Sequence, residues 1–155
     1  MIVVSDTSPV NYLVLIELEH LLPALFGEIV LPTAVSEELR STAAPHKLRE
    51  WLATSPHWIR VEAPPAIPPE LMSLDAGERE AIALGRHLNA SLVLVDEANG
   101  RRKAIEQGLA VAGTLGILDR AARRGMVKLS EALDRLQQTS FRASPSLLRH
   151  FRDRG

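Results

Sequence analysis

Cysteine is absent from this 155-residue chain, which excludes disulfides, cysteine-ligated zinc, iron–sulfur ligation and thiol catalysis. Any metal must therefore rest on carboxylates or imidazoles. Aromatic residues are scarce too, at 4% of the chain, so few rings are left to stack on bases, and Tyr12, Trp51, Trp58 and Phe141 are expected in the core. Long apolar runs are also missing: Leu13-Val14-Leu15-Ile16 and the stretch Ser91 to Val95 fall well short of a membrane span. The N-terminus has no basic stretch ahead of an apolar one, which reads against a signal peptide and makes the cytoplasm the expected location. The five histidines, His20, His46, His57, His87 and His150, follow no ligand spacing and are given no catalytic role.

What is present suits one soluble domain over residues 1–155, with 46% hydrophobic and 24% charged residues. The net charge of −1 conceals a division: residues 1–98 carry 6 Lys/Arg and 14 Asp/Glu, or −8, and residues 99–155 carry 12 and 5, or +7. An acidic front beside a basic back fits a carboxylate site next to a surface that attracts polyanions.

Along the chain, strand and helix signals alternate. Ile2–Ser5 is a short β-branched run, and Asp6-Thr7-Ser8-Pro9 predicts a helix start with Ser8 as cap and Pro9 in the first helical position. Helical spacing from Val10 to Phe26 predicts two short helices, divided at Pro23 and closed by Gly27. A strand at Glu28–Pro32, a helix to Ser41, a helix at Lys47–Ala53 and a strand at Trp58–Val61 follow, ahead of a proline-rich connector from Ala63 to Pro69. A helix opening at Leu74–Glu78 and the unalternated strand Ser91–Val95 come next, the latter suited to burial on both faces. Then come a helix from Asp96 to Gln107, a strand at Leu109–Ala112, a helix to Arg124, and a helical segment from about residue 126 with helices at Ser130–Gln138 and Pro145–Arg152. This order predicts a three-layer α/β/α domain with a mostly parallel sheet of four to five strands.

In such a sheet ligands gather beyond the carboxyl ends of the strands. Asp6 and Asp96 each follow an apolar strand, and if those strands are neighbours their carboxylates can share one ion. On the helix after Pro32, Glu38 falls roughly 60° from Val35, at the edge of the inward stripe, whereas Glu37 points away. On the next acidic helix Glu78 lies between Ala81 and Ile82, Asp75 shares its sector as a cap, and Glu80 points away as surface charge. A carboxylate on an apolar face is costly unless it is paired or holds a cation. Four such acids with only oxygen donors favour Mg²⁺ or Mn²⁺. A site of that kind suits phosphodiester hydrolysis.

At these residues the chain resembles the PIN domain, and within it a prokaryotic subgroup related to VapC-type toxins. The resemblance rests on Val4-Ser5-Asp6-Thr7-Ser8-Pro9, Leu25 to Pro32 with Val35 and Glu38, Leu74-Asp75-Ala76-Gly77-Glu78 and the residues to Ile82, Leu94 to Arg102, and Gly113 to Leu118. It implies a Mg²⁺- or Mn²⁺-dependent ribonuclease, commonly a homodimer and the toxin of a toxin–antitoxin pair. Carried over, the acids are Asp6 with Thr7 or Ser8 as the nearby hydroxyl, Glu38, Glu78 where the family usually has Asp, and either Asp96 or Glu97 after the strand; Asp75 is a further candidate ligand. The altered fourth position keeps a second reading in view, a non-catalytic binding module of the same fold. A haloacid-dehalogenase-type phosphotransferase is disfavoured, because Asp6-Thr7-Ser8 lacks the second Asp such enzymes carry after the first strand.

For the RNA backbone, Ser8, Arg101, Arg102 and Lys103 are the candidate contacts, with Arg120, Arg123 and Arg124 beside them. In the tail, Leu147, Leu148 and Phe151 form an apolar edge that can dock on this domain or on a partner subunit.

Overall fold

Alternate residues of the central strands face opposite ways, and here both faces are apolar. Val3, Ile29, Leu31, Leu92 and Leu94 enter one core, while Val4, Val30 and Val93 enter the other. A strand buried on both sides has no solvent face to alternate, so β1 (Val3–Ser5), β2 (Ile29–Pro32) and β4 (Leu92–Leu94) read as continuous apolar runs. A computed structural model of the chain describes residues 1–154. With β3 (Ile59–Glu62) and β5 (Val111–Ala112) these strands make one five-stranded sheet in the order β3-β2-β1-β4-β5. Every pairing is parallel, with Ser5 opposite Leu94 and Val4 opposite Val30.

Helices cover both faces, giving the three-layer α/β/α architecture. The larger core gathers residues of α1 (Thr7–Leu15), α2 (Leu21–Phe26), α3 (Thr33–Arg40), α4 (His46–Ala53), α7 (Thr114–Arg123) and α8 (Leu129–Gln137). The smaller one gathers α5 (Ala76–His87) and α6 (Ala98–Glu106), with Leu71 from a 3₁₀ turn at Pro69–Leu71 that ends the proline-rich connector. Tyr12, Trp51, Trp58 and Phe141 pack against the larger core, as expected of the few aromatics.

Two local readings change. The break between α1 and α2 does not come from Pro23, which sits in the first turn of α2, where a missing N–H costs nothing. The chain turns earlier, at Glu17, whose φ of 61° places it in the left-handed region. Likewise α1 starts at Thr7 with Asp6, not Ser8, in the cap position, and Pro9 is the third helical residue. Asp6 makes no side-chain capping bond. Its carboxylate is aimed elsewhere.

The tail helix α9 (Pro145–Arg154) docks on this domain: Arg152 donates to Asp134 at 2.8 Å and to Gln137 at 2.6 Å, both on α8. Leu148 and Phe151 pack on the core while Leu147 stays exposed. No helix among the described residues is long and apolar enough to cross a membrane.

Candidate active site

With β1 paired to both β2 and β4, the direction of winding reverses beside β1, and the carboxyl ends of β1 and β4 open onto the crevice where such sheets hold ligands. Asp6 and Asp96 stand there. The Asp6 N–H donates to Leu94 O at 2.9 Å, so the two strands are neighbours, as the expectation for these two acids requires. Four helices start around the crevice: α1 after Asp6, α5 after Asp75, α6 after Glu97, and α7 at Thr114. Their amino ends supply partial positive charge that makes the gathering of carboxylates tolerable.

Each acid is held differently. Asp6 is 7% exposed, and burial pushes its carboxyl up to about 7, against hydrogen bonding from the Thr7 N–H and with help from the charges of Asp75, Glu38 and Asp96. Glu78 is 3% exposed, and among the described residues no N–H or hydroxyl donor reaches its Oε2. Burial, then a hydrogen bond its protonated form shares with the Asp75 side chain and the Asp75 charge, pushes it up to about 8, with Glu97 and Asp6 adding repulsion. Asp75 caps α5, its Oδ1 accepting the Glu78 N–H at 2.9 Å. Asp75, Glu78 and Glu97 each offer an oxygen, and these lie within 4.8 Å of one another.

Asp96 is engaged by α7: its Oδ1 accepts the Thr114 N–H at 2.6 Å and its Oδ2 accepts the Thr114 hydroxyl at 2.7 Å. Burial raises its pKa while these bonds and Arg101 oppose the shift. Glu38 is solvent-exposed, at the rim, where its Oε2 accepts the Thr7 hydroxyl at 2.8 Å. Of the two hydroxyls considered, Thr7 is the one bonded to an acid; Ser8 is half-buried on the same turn. Among the candidate ligands, then, the tight group joins Asp75, Glu78 and Glu97, with Asp6 beside it, Asp96 fixed to α7 and Glu38 at the margin.

Three glycines give these acids their room, and sequence reasoning passed over them as functional positions. A Cβ on Gly77 would lie 2.7 Å from Asp6 Oδ1 and 3.3 Å from Glu38 Oε2. One on Gly100 would lie 2.4 Å from Glu78 Oε2, and one on Gly113 would lie 2.7 Å from Asp96 Oδ1. Thr114 was missed as well; a hydroxyl directly after a strand and a glycine, at a helix start, was the available signal. Glu80 is corrected: it is half-buried, and its Oε1 accepts the Ala34 N–H at 2.9 Å, closing the first turn of α3.

The candidate cations divide. Arg101 donates to Asp96 O and borders the crevice, whereas Arg102 donates to Asn99 and Lys103 lies 3.8 Å from Glu106. Arg120, Arg123 and Arg124 do not join them. They cluster at the far end of the 10-residue α7, about 15 Å from its start, around a cleft that Met1 also lines at the amino end of β1. Arg123 is paired with Asp119 at 3.0 Å, and Arg120 lies 6.0 Å from the centre of the Phe26 ring.

The model of the PIN-domain family matches residues 2–154. The chain belongs to the PIN-domain family. Among solved structures, a PilT N-terminus domain protein from the hyperthermophilic archaeon Sulfolobus solfataricus P2 is similar to this PIN domain at 17% identity and a TM-score of 0.55. The match covers 93% of this chain and 100% of that one, which supports the fold. Among curated proteins no match to the chain is found. A PIN domain with clustered acids has a nuclease-type fold, and the donors suit a hard divalent cation: they are all oxygens, and one is buried with no donor to it among the described residues.

Proposed function

We propose that this PIN domain is a Mg²⁺- or Mn²⁺-dependent endoribonuclease hydrolysing RNA phosphodiester bonds at the carboxyl ends of β1 and β4. The observation that carries the reading is Glu78, a buried carboxylate with an oxygen that no N–H or hydroxyl donor among the described residues reaches and two further carboxylates within 4.8 Å. Without a cation those groups must hold protons or repel; with one, each oxygen has a partner.

Asp75, Glu78 and Glu97 would hold the ion, with Asp6 completing the set from the strand side. A bound divalent ion supplies Lewis-acid polarisation of the phosphoryl oxygen and acidifies a water for in-line attack. Asp6, close enough to Asp75 and Glu38 to feel their charges, would orient the attacking water from the end of β1. Thr7 fixes Glu38 at the rim, and Thr114 holds Asp96 so that its charge faces the crevice from a set position. Arg101 offers the phosphate a cation on the same side. The P–O bond to the leaving ribose oxygen breaks as the water oxygen bonds to phosphorus, leaving a phosphomonoester and an alcohol.

Incubation of RNA with the protein in Mg²⁺ or Mn²⁺ tests this. Cleavage is expected with the wild type and is lost with chelator. The homodimer and the antitoxin belong to the same reading; sedimentation tests the first, and co-purification with the product of a neighbouring reading frame tests the second.

A further inference from the structure

A cleft of about 580 Å³ opens beside the acids, with Asp96 and Glu97 in its lining. Its walls come from the β5–α7 corner and from the tail: Leu115 on one side, Phe141, Leu147 and Phe151 on the other. Arg101 and Arg142 stand on its lining as well. The volume lies within the range of small-ligand pockets, and the lining is apolar with a few polar groups, the composition that holds a flat heterocycle. The Phe141 ring is set by an edge-on contact with Tyr12 at 5.1 Å, which fixes that wall.

We propose that this cleft receives the base of the nucleotide next to the scissile phosphate, so that single-stranded RNA is held through one unstacked base as well as through its backbone. The inference rests on the ribonuclease reading and adds to it a base subsite built by the β5–α7 corner and the tail. Two features favour RNA over a protein segment as occupant. The cleft is continuous with the acidic centre through Asp96 and Glu97, and two arginines line it where a phosphodiester would pass; a base is unstacked at least cost in a single strand, which makes single-stranded RNA the favoured form. A second, smaller cleft lined by Thr7, Asn11, Glu38 and Ser41 lies on the other side of the same acids, so the chain of a bound strand has room to leave in both directions.

Leu147→Trp is the direct test, because Leu147 is 38% exposed and a larger side chain there fills the cleft without entering the core. Arg142→Ala removes a cation that donates to the adjacent Phe141 O at 3.4 Å, and it should weaken binding of the same RNA while leaving the melting temperature unchanged. Two readouts are needed. One is the KM and kcat for cleavage of a short single-stranded RNA in Mg²⁺; the other is fluorescence anisotropy of the same RNA bound to the Asp6→Asn protein, alone and combined with either variant. Expected are a rise in KM and a weakening of RNA binding of ~10-fold for Leu147→Trp, with kcat within about two-fold and melting temperature unchanged. An RNA abasic at the flanking position should bind wild-type and Leu147→Trp proteins alike. Cleavage with an unaltered KM in Leu147→Trp overturns the base subsite and leaves the ribonuclease standing. Absence of both RNA binding and cleavage in the wild type overturns both. A change of sedimenting mass in Leu147→Trp with RNA affinity unchanged assigns the cleft to contact between copies of the chain, and also overturns the proposal.

Discussion

Glu78 and Asp6 hold their protons well above the ordinary carboxyl values of 4.5 and 3.8, rising to about 8 and about 7. At these two carboxyls the folded chain holds more protons than the unfolded chain between roughly pH 4 and pH 8, so their contribution to stability without metal falls as pH rises through that window. In chelator the melting temperature is expected to decline from pH 5 to pH 8.5, and added Mn²⁺ to restore it at the alkaline end; a flat profile would count against the buried acids. Glu78→Gln removes the charge and keeps the shape. It should melt higher than wild type in chelator at pH 8 and bind Mn²⁺ at least about 10-fold more weakly, the loss expected even for an outer-shell partner. Calorimetry on the two proteins checks both. Asp6, Asp75 and Glu78 were legible in the sequence because each sits where a strand ends or an apolar face runs. The choice between Asp96 and Glu97 was not, since adjacent residues differ only in which way the turn sends them: here Asp96 to Thr114 and Glu97 toward Asp75 and Glu78.

Helix starts carry the site, and their glycines carry its space. Gly100→Ala would bring a Cβ to 2.4 Å from Glu78 Oε2 and 3.0 Å from Val95 Cγ2, so α6 or the carboxylate must move. A loss of about 1–3 kcal/mol in stability is expected, together with loss of the tight ion site, measurable by denaturation and Mn²⁺ titration. Thr114→Val deletes the hydroxyl bond to Asp96 and keeps the bulk; cleavage should fall about 10-fold with the fold intact. Most elements could be read from apolar spacing, because periods of two and of three to four mark burial directly. Caps were less legible. Ser8 and Asp6 both read as caps for α1, since a capping residue that spends its carboxylate on a site looks the same in sequence as one that spends it on its helix. Pro23 misled for a related reason: a proline breaks a helix only beyond its first turn, and where the turn began was decided by Glu17.

At the scale of the molecule, the −8 front and +7 back do not map onto one face. The acids converge at the carboxyl ends of the strands, while Arg120, Arg123 and Arg124 gather at the opposite pole, leaving Arg101 and Arg142 as the cations beside the crevice. Arg124→Ala should accordingly leave RNA affinity and its salt dependence unchanged, whereas Arg101→Ala should weaken binding and lower the salt slope by about 1. Binding titrations over a range of salt separate the two. The parallel order of strands followed from alternating signals, but the pole on which each arginine lands depends on helix length and direction, which composition does not reveal. The central claim is that the converging acids are a metal-dependent ribonuclease centre. It is tested most directly by cleavage of single-stranded RNA in Mn²⁺ by wild-type and Asp6→Asn proteins. Cleavage by the wild type, abolished by chelator and reduced at least ~100-fold by the substitution, is the predicted result. Equal activity in the two proteins, or cleavage indifferent to chelator, would contradict it.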